Sequence, residues 1–403
     1  MQAANTRPKG ELKTVGLVSF AHLLSHLYML ALPPLFIFVR EDLNVSFVSL
    51  GLSVTAYAVT TGLLQTPMGF LVNRIGGGKV LAGGLFLNAA AIAAVAFTTE
   101  YWQIIALMLL AGVGSSVFHP ADYSILAARV EPQRLGRALA THALGGNLGF
   151  VAAPPLVVAL AAMFGWRSAL LIVGGGGMIL AIALAFQMSA IGQPKGAEKK
   201  QDSWRRLVRS PAILLLFVFY TLSAAANSGI VHFSVSAFSE IYGLPVATAA
   251  IALTTYQVLS MLAVLPGGWL ADRFENHELV LAVCMAGSAA FLLLCGSGAL
   301  PFAAVLASIA VAGALHGLVN ASRDISVRGA AKDVSVGTVF GFVTTGYSAG
   351  QIIGPALYGL ILDLGRPQLV FVASAAFSLL AILTMLARRN APGVSASAEK
   401  SAS

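Results

Sequence analysis

The sequence Gly-Phe-Leu-Val-Asn-Arg at residues 69–74 returns as Gly-Trp-Leu-Ala-Asp-Arg at residues 268–273, about half a chain later. Each copy follows a long apolar run. Further matches occur in one register, at an offset of 201 residues. They are three glycines and a proline in each half: Gly136, Gly145, Gly149, Pro154 and Gly337, Gly346, Gly350, Pro355. The chain therefore contains an internal repeat whose two copies run in the same direction.

The composition indicates that most of the chain is surrounded by lipid and not by water. Of the 403 residues, 58% are hydrophobic and 10% are charged, and the mean hydropathy is +0.84. Ordinary soluble domains carry about 25% charged residues, so this composition excludes them. A helix crosses the bilayer with about 20 apolar residues. Twelve such runs occur, at residues 14–38, 46–71, 79–98, 102–127, 137–162, 168–188, 211–236, 246–271, 278–297, 301–325, 337–362 and 368–387. We predict an all-α membrane protein with twelve transmembrane helices in two six-helix parallel-repeat halves.

A polar, basic stretch separates the first six predicted helices from the last six. We therefore predict an N-terminal half at 1–192 and a cytoplasmic linker at 193–210. The C-terminal half follows at 211–388, and a disordered cytoplasmic tail at 389–403. Two such halves facing a central cavity suit a transporter that rocks between two states.

The basic residues predict the orientation. With the N-terminus inside, 20 of the 24 lysines and arginines lie in the inner segments. Positive charge concentrates on the cytoplasmic side of membrane proteins. We therefore predict a bacterial inner-membrane protein with both termini in the cytoplasm, surrounded by lipid and monomeric. The net charge of +8 reflects this orientation, so we expect no nucleic-acid partner.

The loop after the second predicted helix carries a recognisable pattern, G-x-x-x-[DN]-R-x-G-x-x-[KR]. Its members are Gly69, Asn73, Arg74, Gly76 and Lys79. With the twelve predicted helices and the basic linker, this pattern makes the whole chain resemble the major facilitator superfamily. The resemblance implies the major facilitator fold.

In that family the loop pattern acts as a gating element on the inner side, which the resemblance assigns here to both copies of the repeat. The residues concerned are Gly69, Asn73, Arg74 and Lys79, with Asp272 and Arg273 in the second half. Two positions depart from the family. Asn73 stands where Asp is usual, which removes a charge, and Met108 stands where family antiporters carry an arginine four residues before a glycine.

Two adjacent predicted helices resemble one branch of the superfamily more closely. They contain Gly-Val-Gly-Ser-Ser-Val-Phe-His-Pro-Ala-Asp at residues 112–122 and Gly-Gly-Asn-Leu-Gly at residues 145–149. These sequences are similar to the fosmidomycin-resistance branch, whose members are drug exporters driven by proton entry. The resemblance also implies that glycines and prolines of the fifth and eleventh helices take part in gating: Gly149, Pro154, Gly350 and Pro355.

The segment around His119 places ionisable groups in an apolar run. An ionisable residue inside a membrane helix is a functional hypothesis, because burying its charge is costly. Pro120 frees the carbonyl near Ser116 and predicts a bend there, and we expect it to serve gating. His119 and Asp122 share a helix face, and we expect them to couple transport to protons. Alternatively, they satisfy the bend and pair with basic loop residues. Counted from Trp102, Asp122 is expected near the inner end of the helix.

His22 and His26 lie four residues apart, on one face near the middle of the first helix. Such a pair can bind substrate, relay protons near neutral pH, form hydrogen bonds between helices or bind a metal ion. No carboxylate or third histidine falls on the same helix, so we favour substrate or proton handling and predict no metal site. We assign His142, in the fifth helix, to local packing.

The 201-residue offset relates His26 to Asn227, His119 to Asn320 and Asp122 to Arg323. A pair of Asp122 and Arg323 across the two halves is one hypothesis, and a plain interfacial anchor for Arg323 is the other. The residues expected to contact substrate are His22, His26, Tyr28, Phe118, Asn227, Tyr256 and Asn320. Those expected to couple protons are Asp122, His119, His316 and Arg323.

Together these observations predict a secondary active transporter that exports a small organic compound by proton antiport, with rocker-switch alternating access. One alternative is a proton symporter that imports a small organic anion. Another is a non-transporting sensor or assembly subunit on the same scaffold. No hydrolytic or redox constellation lies outside the apolar segments, so we expect neither enzymatic activity nor a cofactor.

Overall fold

Long α-helices joined by short turns account for almost all of the chain that the computed structural model describes, which is residues 10–188, 204–330 and 336–389. Most of the predicted linker at 193–210 and almost all of the predicted tail at 389–403 lie outside the described residues. No β-strand occurs within those three ranges.

The described residues 10–188 form eight helices with one short 3₁₀ turn, Pro33–Leu35, between the first and second. They are α1 (Glu11–Met29), α2 (Phe36–Leu43), α3 (Phe47–Ile75), α4 (Gly77–Val95), α5 (Tyr101–Ser115), α6 (Phe118–Arg129), α7 (Pro132–Phe164) and α8 (Trp166–Met188). The second half forms eight more, with a π-helical turn, Gly229–Phe233, after the second of them. They are α9 (Trp204–Arg209), α10 (Pro211–Ser228), α11 (Ser234–Tyr242), α12 (Val246–Arg273), α13 (His277–Gly296), α14 (Phe302–Ala330), α15 (Val336–Asp363) and α16 (Gln368–Arg389).

Eleven of these helices or continuous helix pairs, within the described ranges, are long and apolar enough to cross a membrane. The pairs arise where one predicted span is interrupted, as in Glu11–Leu43, Tyr101–Arg129 and Pro211–Tyr242. α15 is not among the eleven, although its 28 residues are long enough to cross a membrane. Its glycines, threonines and Gln351 lower its hydropathy. The predicted all-α architecture with spans in two sets of six is confirmed by this helix order.

The structure divides into two compact units. Unit 1 contains residues 10–35 and 56–188 of the described chain, and unit 2 contains residues 36–55, 204–330 and 336–389. The halves predicted from the sequence, 1–192 and 211–388, are meant as the two parts that move during transport. That division stays a prediction.

In unit 1, α1 packs against α7 and α6, and α4 packs against α8 and α5. In unit 2, the corresponding helices make the same pairs: α10 with α15, and α13 with α16 and α14. The repeat seen in the sequence is therefore also a repeat of helix packing.

Glycines hold the two equivalent pairs, α1–α7 and α10–α15, at short range. A Cβ added at any of four glycines would collide with a backbone carbonyl oxygen of the facing helix. The contacts join Gly145 to Ser19, Gly149 to Leu23, Gly346 to Phe217 and Gly350 to Thr221. Small residues permit this approach in membrane helices, where tight packing and interhelical contacts drive association. Two of the three glycines that reveal the repeat in each half thus set the helix spacing.

Within unit 2, the start of α3 is bonded to the end of α15. The carboxylate of Asp363 accepts hydrogen bonds from the backbone N–H groups of Phe47 and Val48, both at 2.8 Å. The first turn of a helix leaves such N–H groups without partners inside the helix, so a carboxylate there is stabilising. Thr55 also donates to the carbonyl of Ile352 at 2.8 Å.

The fourth predicted span is divided where its proline predicts a bend. α5 ends at Ser115 and α6 begins at Phe118, so the helix breaks at the two intervening residues. Pro120 lies in the first turn of α6, where a proline is tolerated because its missing N–H has no partner in the helix. Asp122, in the second turn of α6, contacts His22 of α1 and His142 of α7.

Candidate functional site

Four histidines and one aspartate from three helices of unit 1 lie together in one cluster, which we call the histidine cluster. It consists of His22 and His26 from α1, His119 and Asp122 from α6, and His142 from α7. Nδ1 of His22 lies 3.5 Å from Oδ2 of Asp122, and Nε2 of His142 lies 3.7 Å from the same oxygen. The rings of His22 and His142 are stacked, with centroids 3.9 Å apart.

The centre of the histidine cluster is buried. Asp122 has no exposed surface, and His22 and His142 are 4% and 2% exposed. Among the described residues, neither oxygen of Asp122, nor Nδ1 of His22, nor either ring nitrogen of His142 has a hydrogen-bond partner. Buried polar groups are nearly always bonded, and leaving one unbonded costs about 1–3 kcal/mol. Five such atoms side by side therefore indicate a site that takes up something else, such as a proton, an ion or a polar ligand.

The glycines of α7 make room for the cluster. A Cβ at residue 146 would lie 2.7 Å from Nε2 of His22 and 2.8 Å from Cε1 of His26. Gly145 and Gly149, on the same face, bring the α1 backbone close enough for His22 to reach the ring of His142. The histidine cluster therefore depends on the glycine stripe of α7.

The cluster extends from its buried centre to exposed side chains. The ring centroid of His22 is 5.6 Å from that of His119, which is exposed. His119 stacks at 5.8 Å on Tyr123, which is 51% exposed and also touches the ring of His142 at 5.8 Å. On the other side, His26 lies 4.3 Å from His22 and 4.2 Å from Phe150, measured between ring centroids. Neighbouring rings therefore connect buried Asp122 to the exposed side chains of His119 and Tyr123.

Asp122 contacts His22 of α1, and the expectation that it lies near the inner end of its span stays a prediction. The span that carries Asp122 runs from Tyr101 to Arg129, which is 29 residues and longer than the bilayer is thick. At 1.5 Å per residue, Asp122 is roughly 10 Å from the Arg129 end, and His22 is roughly 16 Å from the start of α1.

A second polar site, in unit 2, contains five of the predicted residues. Asn227 of α10, Tyr256 of α12, and His316, Asn320 and Arg323 of α14 line one cavity. Further lining residues are Ser223, Ser288, Ser378 and apolar side chains such as Phe219, Met285 and Leu292. Apolar walls with a few polar groups are found in sites for small organic molecules, but this cavity holds about 50 Å³, well below the roughly 300–1,000 Å³ of such sites. We call it the α14 cavity.

Arg323 is the cation of the α14 cavity. Its Nε lies 3.1 Å from Oδ1 of Asp324, and its guanidinium carbon lies 5.4 Å from the ring centroid of Tyr220. Both contacts are within unit 2. The hypothesis that Arg323 pairs with Asp122 concerns two different units and stays a prediction.

The other predicted residues lie apart from these two sites. Tyr28 is 1% exposed and donates to the carbonyl of Val173 in α8 at 3.4 Å, and Phe118 is 2% exposed in the interior of unit 1. A Cβ at Gly69 would lie 3.9 Å from Cβ of Pro120. The predicted gating residues at the ends of α3, α4 and α12 are exposed: Asn73, Arg74, Lys79, Asp272 and Arg273. Pro154 is inside α7 and Pro355 inside α15.

His142 is the residue that the sequence reading missed, since it contacts Asp122 instead of only packing locally. A signal was present. His142 precedes Gly145, Gly146 and Gly149 by three, four and seven residues, which puts it on the same helix face as the glycines. A polar residue on the face that meets another helix closely is a site candidate.

Comparisons with known proteins agree with this architecture. The Major Facilitator Superfamily model matches residues 18–245 and 220–402. The fosmidomycin resistance protein of Escherichia coli K12 is 24% identical over 401 residues, covering 95% of this chain and 94% of the relative. The 4-hydroxybenzoate transporter PcaK of Pseudomonas aeruginosa is 25% identical over 390 residues, covering 86% of each.

A solved structure shares the fold. It is that of a bacterial homologue of the human lysosomal transporter Spinster, in an inward-facing and occupied conformation. The TM-score is 0.78 at 14% identity, and the match covers 95% of this chain and 98% of that one.

Proposed function

The chain belongs to the Major Facilitator Superfamily, and we propose that it is a secondary active exporter in which inward proton flow drives a small organic compound outward. Family membership makes it a multi-pass inner-membrane transporter of small molecules, not an enzyme. The proposal adds direction, coupling ion and residues. We also propose that both termini are cytoplasmic, because most basic residues fall in the segments on that side, and that the chain acts as a monomer.

The observation that carries the proposal is the burial of Asp122. Its side chain has no exposed surface and lies in a segment that crosses the membrane. A carboxylate there is expensive unless it is paired or carries a proton, and such residues mark proton relays and substrate paths. The neighbouring His22 and His142 are groups that gain and lose protons near neutral pH in their ordinary state.

In the proposed mechanism, Asp122 carries the proton and the histidines deliver it. The exposed His119 receives a proton from solvent and passes it by way of His22 to Asp122, and His142 offers a second position beside the same oxygen. Charge at Asp122 then depends on proton occupancy. Coupling follows if protonated Asp122 and bound substrate favour opposite conformations of the transporter, since a ligand shifts an equilibrium by its difference in affinity for the two states.

The organic substrate binds in the α14 cavity in this proposal. Asn227, Asn320 and His316 supply hydrogen bonds, and Tyr256 supplies an aromatic surface. His22 and His26, which the sequence also suggested for substrate, are assigned here to the proton path together with His119. Tyr28 and Phe118 are assigned to packing, because each is at most 2% exposed.

We assign gating to two groups of residues. The glycines and prolines of α7 and α15 permit those helices to change their contacts with α1 and α10: Gly149, Pro154, Gly350 and Pro355. The exposed loop residues, with Pro120 close to Gly69, stabilise one state on the inner side: Asn73, Arg74, Lys79, Asp272 and Arg273. This second assignment rests on the resemblance to the family pattern.

A second candidate function is import of a small organic anion together with protons. Arg323 favours it, because a guanidinium in an aromatic-lined cavity suits a planar carboxylate. The similarity to a 4-hydroxybenzoate transporter points the same way. In this case Arg323 exchanges Asp324 for the substrate carboxylate.

Transport by purified protein in liposomes separates the two candidates. Fosmidomycin and 4-hydroxybenzoate are the first compounds to test, each under a pH gradient of either direction. An exporter accumulates its compound in the more acidic compartment, since protons leave as substrate enters. A symporter accumulates it in the more alkaline compartment. A pH gradient that changes the movement of neither compound, nor that of a wider panel of drugs and organic acids, would contradict proton-coupled transport.

A further inference from the structure

The centre of the histidine cluster has the composition of a transition-metal site. His22, Asp122 and His142 each offer one ligand atom, and these atoms all lie within 4.8 Å of one another. They come from α1, α6 and α7, so the set exists only in the folded unit 1. The sequence reading excluded a metal because α1 alone carries too few ligands. The fold supplies the missing carboxylate and the third imidazole from two other helices.

The distances favour a shared ion over direct hydrogen bonds or a bridging water. Oδ2 of Asp122 is 3.5 Å from His22 Nδ1 and 3.7 Å from His142 Nε2. Good hydrogen bonds are about 2.7–3.2 Å long, and a water bonded to both partners would hold them roughly 4.5 Å apart. Ligands bound at about 2.0–2.2 Å to a tetrahedral ion are roughly 3.3–3.5 Å apart. The separation of 3.5 Å to His22 lies within this range, and the separation of 3.7 Å to His142 is slightly longer.

The unsatisfied atoms point to the same ligand. Both oxygens of Asp122, His22 Nδ1 and His142 Nε2 lack hydrogen-bond partners among the described residues. All three side chains are more than nine-tenths buried. One cation coordinated by these atoms would satisfy every residue of the set at once. A proton on Asp122 satisfies at most one of the two histidines.

The donor set selects the kind of metal. Imidazole nitrogens with a single carboxylate suit Zn²⁺, Co²⁺ or Ni²⁺, whereas Mg²⁺ and Ca²⁺ prefer six or more oxygen ligands. We propose that unit 1 binds one divalent transition-metal ion through His22, Asp122 and His142. Three protein ligands leave the fourth tetrahedral position open, and the ring of His26 is the nearest further imidazole, 4.3 Å from His22.

Binding of Co²⁺ and Zn²⁺ to the purified full-length protein, made without a polyhistidine tag, tests the site. Co²⁺ is the spectroscopic probe, because four-coordinate Co²⁺ absorbs visible light far more strongly than the hydrated ion. The expected result is one Co²⁺ per chain with a four-coordinate spectrum, displaced by Zn²⁺. Loss of a residue that only orients a metal ligand weakens binding about 10–100-fold. We therefore expect at least a tenfold loss for each of His22→Gln, Asp122→Asn and His142→Gln.

The matched control is His277→Gln, which removes a histidine at the start of α13, outside the histidine cluster. It should bind Co²⁺ like the wild type. Equal binding by the wild type and the three ligand variants, or a spectrum of hydrated Co²⁺ only, would overturn the proposal.

A second measurement does not depend on the variants folding. An ion that binds only the folded state raises the unfolding temperature, so Zn²⁺ should raise the melting temperature of the wild type and a chelator should reverse the effect. No shift at saturating Zn²⁺ would also refute the site. Transport measured in chelator-treated buffer reports separately on the proposed function, so either proposal can fail alone.

Discussion

Replacing Gly146 by alanine tests whether close packing of α1 on α7 creates the histidine cluster. The new Cβ would lie 2.7 Å from His22 Nε2 and 2.8 Å from His26 Cε1. Nonbonded atoms separate to about 3.5–4.0 Å, so the two rings must retreat by roughly 1 Å. Overpacking of this kind costs about 1–3 kcal/mol. The retreat also disturbs the contact of His22 with Asp122, and proton-driven transport should fall with it.

Gly136→Ala is the matched control, in the same helix. A Cβ there has no atom within 4 Å. Both substitutions change helix propensity by the same residue types, so the difference between the variants isolates the packing effect. Unfolding in mixed micelles should show Gly146→Ala less stable than Gly136→Ala by about 1–3 kcal/mol. Equal stability and equal transport in the two variants would refute the view that Gly146 makes room for the cluster.

Two further changes address unit 2. Asp363→Ala removes the acceptor of two backbone N–H groups at the start of α3, and helix caps of this kind contribute about 0.5–2 kcal/mol. The variant should melt at a lower temperature, and an unchanged melting curve would show that these bonds add nothing. Arg323→Gln should weaken binding of anionic compounds more than of neutral ones, by about tenfold or more if a charged hydrogen bond of 1.5–3 kcal/mol is lost. Equal losses for both classes of compound would remove Arg323 from anion recognition.

Much of the fold could be predicted from the sequence because the bilayer imposes a length and a hydropathy on each helix. The predicted start at 246 and the break near Ser116 agree with the beginning of α12 and with the end of α5 at Ser115. The break was predictable because a proline removes one specific backbone hydrogen bond. The hydrogen bonds between the start of α3 and Asp363 were not predictable, since Asp363 is more than 300 residues away.

The candidate site was only partly predictable, for a different reason. Spacing within a helix shows which residues share a face, so His22 with His26 and His119 with Asp122 were recognised as pairs. Which faces meet is decided by packing between helices. His142 was missed because its partner, Asp122, lies on another helix, and only the glycine stripe of α7 indicated that a close contact would form there.

The most direct test of the central claim records proton and substrate movement together. Liposomes contain a pH-sensitive dye, no pH gradient is applied, and a substrate gradient is imposed on the wild type, Asp122→Asn and the control His277→Gln. The account predicts that the wild type and the control move protons opposite to the substrate. Asp122→Asn should exchange substrate but move no protons. Proton movement by Asp122→Asn equal to that of the wild type would contradict the assignment of Asp122 as the proton carrier.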